Sequence, residues 1–127
     1  MNMASECGHF DQDAFRSLRV NAGEETTLKI LARFQENIQA STKAIEESVA
    51  ARNPESLWRA CHKIGGSAQL IGFHLQGQHI LDISRQVKTD GQASGLESEI
   101  EKMILDLKKI EKTLALSCPD LARHLGP

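Results

Sequence analysis

Apolar residues return along this chain at alternating steps of three and four, the spacing that lines one face of an α-helix. The longest run carries Leu28, Leu31, Phe34, Ile38, Ile45 and Val49, with a polar gap near Ser41. It predicts an amphipathic helix of about 28 residues, roughly 40 Å long at 1.5 Å per residue. A second stripe, Leu57, Cys61, Ile64, Ala68 and Ile71, predicts a helix with one cleanly buried face. A third is less regular: Phe73, Ile80, Ile83 and Val87 face inward over a helix from Phe73 to Thr89, and Gly77 leaves room for a neighbour. The last stripe carries Leu96, Ile100, Met103, Leu107, Ile110 and Leu114. A short helix from Asp11 to about Arg19, with Ala14, Phe15 and Leu18 as its apolar contacts, precedes the four. No segment alternates with period two for long enough to read as a strand.

The punctuation agrees with these boundaries. Asn21-Ala22-Gly23-Glu24 and Ser94-Gly95-Leu96-Glu97 have the form of capping boxes, in which a short polar side chain and a glutamate three residues on satisfy each other's backbone N–H groups. Asn53-Pro54 suits a helix start, asparagine at the N-cap and proline where its missing N–H costs nothing. Gly72 and Asp90-Gly91 mark breaks, and Cys118-Pro119 stops the final helix. Short links between four amphipathic helices predict an all-α protein, an antiparallel up-down four-helix bundle with a short extra N-terminal helix. The expected division is a flexible tail over residues 1–10, a single bundle over 11–117 and a second tail over 118–127, with no internal repeat.

Composition narrows the function classes. Of 127 residues, 40% are hydrophobic and 25% charged, with only four Phe, one Trp and no Tyr, which fits one soluble domain with an aliphatic core. A net charge of -2 offers no basic footprint for nucleic acid and no polybasic run for a membrane surface, so neither is expected as a partner. Cys7, Cys61 and Cys118 are odd in number and widely spaced, there is no apolar leader, and the expected setting is the reducing cytoplasm. The stripes account for a single bundle, so a monomer is expected.

The unusual chemistry sits on the second long helix. His62 follows Cys61 of the core stripe and so lies about 100° off it, on a partly exposed face. Trp58 is one turn before it, Gly65 and Gly66 one turn after, and Gln69 two turns after. Two adjacent glycines inside a helix cost roughly 0.8–1 kcal/mol each relative to alanine, a cost that commonly reflects the close approach of another surface. An imidazole beside such a bare patch has what a phosphoryl acceptor needs: a histidine is largely neutral at cytoplasmic pH, and a partner's machinery can reach it. Lys63 offers an ammonium nearby, although not on the same helix face.

Other constellations are weaker. His74 and His79 are five apart, share no helix face, and have no supporting carboxylate or cysteine spacing, so no metal is expected. Cys61 and His62 point about 100° apart and do not make a nucleophile–base pair. His9 and His124 fall in the expected tails, and Glu97, Glu99, Lys108 and Lys109 read as a solvated face.

Ala60-Cys61-His62-Lys63-Ile64-Gly65-Gly66-Ser67-Ala68, followed by Leu70-Ile71-Gly72, resembles the signature of histidine-containing phosphotransfer (HPt) domains. That pattern runs roughly Ala-x-His-x-Leu-Lys-Gly-Ser-small, with Leu-Gly soon after. The close match covers residues 60–72, and the helix layout extends the likeness over 11–116. The resemblance implies a bundle in which His62 exchanges a phosphoryl group with the aspartate of a response-regulator receiver domain, within a phosphorelay fed by a histidine kinase or hybrid kinase. Gly66 would keep the imidazole accessible. Catalytic groups and Mg²⁺ would come from the receiver, so the domain would be a carrier with no cofactor of its own rather than an enzyme.

The chain departs from that pattern twice. The family's lysine three residues after the histidine is replaced by Gly65, leaving Lys63 or Arg59 as the available cations. The glutamine or glutamate that often holds the imidazole from the following helix aligns with Ser84, near Gln86. Trp58, Gln69 and Ser84 are the expected partner-docking residues, and Lys63, Gly65, Gly66 and Arg59 the expected phosphate-site support. The competing readings are a docking or inhibitory protein of the same fold that binds receivers or kinases through this face without carrying phosphate, and a helical metal- or ligand-binding bundle. The stripes lack the inward polar residues that the last would need.

Overall fold

A computed structural model of the chain describes residues 12–117, and among these the regular structure is entirely helical. There are five helices in the described region: α1 (Gln12–Ala22), α2 (Glu24–Ala50), α3 (Pro54–Ile71), α4 (His74–Asp90) and α5 (Glu97–Ser117). The expected tails, with His9, His124, Cys7, Cys118 and the side chains of Ala14 and Phe15, lie outside the described residues.

Local chemistry sets the boundaries. Asn53 caps α3, its side-chain oxygen accepting from the Ser56 N–H at 3.2 Å, and Pro54 takes the first helical position. Gly72 ends α3 with φ at 121° and Gly91 ends α4 with φ at 70°, backbone angles that favour a residue without Cβ. Neither expected capping box forms. Asn21 stays inside α1 because the chain breaks at Gly23, whose φ is 84°, and the Glu24 carboxylate accepts instead from Arg19 at 2.8 Å. At the start of α5 the ladder begins with Ile100 N–H donating to Leu96 O, so Leu96 rather than Ser94 precedes the helix.

α3 packs most extensively against α4, and its next neighbour is α2; α5 touches both α2 and α4, and α1 lies on α2 and α3. The apolar stripes converge between the four long helices, where Leu31, Ile45, Cys61, Ile64, Ile80, Met103, Leu107, Ile110 and Leu114 are fully buried. Val49 is a correction: it is 42% exposed, and Ser48 turns inward in its place. Ser48 stands three residues after Ile45, on the inward line, and its hydroxyl bonds Ala44 O at 2.7 Å and Ser56 Oγ at 2.6 Å, tying α2 to the start of α3. Among the described residues, no helix is long and apolar enough to cross a membrane.

Candidate functional site

The candidate site lies where α3 and α4 meet on the outer surface. Cys61, Ile64 and Ala68 hold α3 in the core, and this fixes which residues turn outward. His62, Gly66 and Leu70, at four-residue steps, form one outward stripe. His62 is exposed and makes no hydrogen bond or ion pair with any other described residue. A Cβ built on Gly66 would meet nothing within 4 Å, so the ground one turn beyond the imidazole is open. Leu70, a turn further, is 83% exposed.

The two adjacent glycines have different surroundings, which corrects the expectation that both form one bare patch. Gly65 is buried against α4, where a Cβ would stand 3.0 Å from Leu81 Cγ and 3.1 Å from the Gly77 carbonyl oxygen. A Cβ on Gly77 would lie 2.5 Å from Gln69 Cγ and 2.8 Å from the Gly65 carbonyl oxygen. At this pair the backbones of α3 and α4 come within reach of each other, with no side chain between them. A side chain at position 65 would begin in tight contact with Leu81 and the Gly77 backbone, so a lysine there would require α4 to give by a few tenths of an ångström.

The expected support residues are spread around this centre. Lys63 is exposed and turned about a further 100° round α3 from His62. Arg59 is exposed and held by Glu55, with Nη2 to Oε1 at 2.8 Å. Its guanidinium also lies over the Trp58 ring, 5.0 Å from the centroid, and Lys88 Nζ of α4 covers the same ring at 4.6 Å. A half-buried indole so flanked is a firm, weakly polar platform one turn before His62.

Ser84 is corrected as a docking residue. It is only 3% exposed, and its hydroxyl donates to the Trp58 carbonyl oxygen at 2.7 Å. It braces α3 from beneath and offers a partner no surface. Gln69 is half-buried and donates to Gln78 Oε1 at 3.1 Å; Gln78 in turn donates to Asp82 Oδ1 at 2.9 Å, and Asp82 pairs with Arg85 at 3.6 Å. This polar row on α4 was not legible in the sequence. The irregular stripe of α4 left open which of its polar residues share the seam with α3.

Burial alone pushes the Cys61 thiol up to about 12, and its Sγ contacts Met103 Sδ at 3.7 Å. This thiol is packing and takes no part in the surface chemistry. Among the described residues no group of three His, Cys, Asp or Glu side chains is placed to hold a metal ion. A groove of about 890 Å³ lies around the α2–α3 and α4–α5 links, lined by Val49, Leu57, Ile104 and their neighbours, and does not include His62. Comparison with protein-family models, curated proteins and solved structures finds no match.

Proposed function

We propose that the chain is a histidine phosphotransfer domain that relays a phosphoryl group between His62 and the aspartate of receiver domains. The observation that carries this reading is an exposed, unengaged imidazole beside the open ground at Gly66, on a helix locked to its neighbour by the Gly65–Gly77 contact. The helix contacts, α2 with α3, α3 with α4, α4 with α5 and α5 with α2, are those of a closed ring, and support an antiparallel up-down four-helix bundle with α1 as an added short helix.

In the step we propose, a ring nitrogen of neutral His62 attacks the phosphorus of the receiver's aspartyl phosphate. The N–P bond forms as the P–O bond to the aspartyl carbonyl breaks, and the electron pair leaves on the aspartate carboxylate. The proton already on the other ring nitrogen stays there or passes to solvent. The reverse step returns the group. The chain supplies the nucleophile and an unobstructed approach, and the receiver supplies the remaining catalytic groups and its Mg²⁺, so the chain is a carrier and not an enzyme. The setting this implies is cytoplasmic, with a histidine kinase or hybrid kinase upstream and the chain acting as a monomer.

The experiment is transfer from a phosphorylated receiver, read by intact mass and acid lability, on the wild type and His62→Gln. One acid-labile phosphate that is absent from the variant is the expected result. A folded protein that binds receivers and accepts phosphate from none of a broad panel overturns the carrier reading. A second reading, a docking or inhibitory protein using the same face, is favoured by one observation: position 65 is a glycine packed against α4 and places no cation one turn beyond His62. In that case Trp58→Ala lowers binding of receiver or kinase more than His62→Gln does.

A further inference from the structure

A phosphoryl group on His62 would bring two negative charges to the surface of α3, and the cations on α3 itself are poorly placed to meet them. Position 65 is a glycine packed against Leu81 and the Gly77 carbonyl, Lys63 is turned away round the helix, and Arg59 is held by Glu55 at 2.8 Å. The neighbouring helix supplies another. Two contacts across the seam fix its register: Lys88 over Trp58, and Gln78 with Gln69. One turn along α3 from Trp58 is His62, and one turn back along α4 from Lys88 is Arg85. The tighter contacts, Ser84 Oγ to the Trp58 carbonyl at 2.7 Å and Gly65 against Gly77, place His62 between Leu81 and Arg85 along α4. Helical side chains lean toward the N-terminus of their own helix, which carries the Arg85 guanidinium back along α4 toward the level of His62.

We propose that Arg85 is the charge-balancing residue for phosphorylated His62, its guanidinium leaving Asp82 to bind the phosphoryl oxygens. This rests on the reading of His62 as a phosphoryl carrier. The exchange is favoured by how Arg85 is held. Its contact to Asp82 is 3.6 Å, with the two side chains 72% and 54% exposed, and Asp82 already accepts from Gln78 at 2.9 Å. Exposed ion pairs of this kind contribute little, whereas a guanidinium binds phosphate through two parallel N–H bonds. The separation of His62 and Arg85 on different helices also explains how the chain does without a lysine at position 65. The counter-charge comes across the α3–α4 seam, whose spacing the two facing glycines set.

The test loads His62 in two ways. Phosphoramidate phosphorylates histidine without any protein partner: its P–N bond breaks, ammonia leaves, and the new N–P bond forms on the imidazole. In the phosphoramidate-treated full chain, the Arg85 Nε–H resonance should shift and exchange more slowly with water, while that of Arg59 stays where it was. In transfer from a phosphorylated receiver, Arg85→Gln should lower the rate about tenfold, the order expected for losing one charge-assisted contact to the transferring group, and Arg85→Lys should recover part of it. An unmoved Arg85 resonance on a loaded His62, or equal transfer rates for wild type, Arg85→Gln and Arg85→Lys, overturns the assignment while the carrier reading stands. A shifted Arg85 resonance with no transfer from any receiver overturns the relay and leaves the phosphate contact in place. Failure of phosphoramidate to label His62 overturns both.

Discussion

Gly65 of α3 and Gly77 of α4 face each other so closely that a methyl group on Gly77 would lie 2.8 Å from the Gly65 carbonyl oxygen. Because the obstruction is backbone, it cannot swing aside as a flexible side chain would. Gly77→Ala must therefore push the two helices apart along their most extensive contact. We expect a loss of about 1–3 kcal/mol, the usual cost of overpacking, measured as a lower urea midpoint with an unchanged slope. A variant as stable as the wild type would mean that the helices separate without cost.

Gly66→Ala should act in the opposite sense. A Cβ there meets nothing within 4 Å, so the change gives α3 the better helix former with no clash. Stability should rise by about 0.8–1 kcal/mol, seen as a higher urea midpoint. Gly66→Leu tests the second role of the same position. It should remain folded yet lower phosphoryl transfer to His62 by about tenfold or more, since small displacements of a reacting pair are costly. Unimpaired transfer in Gly66→Leu would show that the approach to His62 does not cross this ground.

Ser84→Ala removes a hydroxyl that is 3% exposed and donates to the Trp58 carbonyl oxygen at 2.7 Å. The expected loss is about 1 kcal/mol, the usual net value of such a bond. Receiver binding should be nearly unchanged at temperatures where the variant is folded, because Ser84 presents nothing to a partner. A binding defect larger than the stability defect would return Ser84 to the docking surface.

Trp58 is the sole tryptophan of the chain, so its fluorescence reports this face without a label. Arg59 and Lys88 lie 5.0 and 4.6 Å from its ring centroid. A receiver that docks over His62 should displace at least one of these cations and change the emission as it binds. An emission spectrum that stays constant through a saturating titration would place the docking surface elsewhere.

The buried Cys61 thiol, pushed up to about 12 from an ordinary 9.0, links stability to alkaline pH. Below pH 9 the thiol is protonated in folded and unfolded chains alike, and stability does not depend on it. Between pH 9 and about 12 the unfolded chain loses the proton while the folded chain keeps it, so the folded state binds more protons and stability falls as pH rises. The slope contributed by Cys61 is at most about 1.4 kcal/mol per pH unit. Cys61→Ala, although less stable overall for the cavity it leaves, should show a shallower decline over this range by urea denaturation. An identical decline in the variant would assign the alkaline loss to other groups.

What the sequence determined by itself was the set of helices and the side of α3 that faces out. Helical periodicity is local: each stripe from Leu57 to Ile71 and from Leu96 to Leu114 needs only the 3.6-residue turn to show which face is buried, and Asn53-Pro54 marks a boundary through its own backbone chemistry. The exposure of His62 follows from its place beside Cys61. What only the tertiary structure decided is everything that depends on the relative register of two helices. The opposed surroundings of Gly65 and Gly66, the burial of Ser84 beneath Trp58, and the level of Arg85 against His62 all turn on how far α4 slides along α3. No local pattern encodes that offset. It is set where two glycines let backbones touch, by the packing of residues distant in sequence, and so it becomes visible only once both helices are in place.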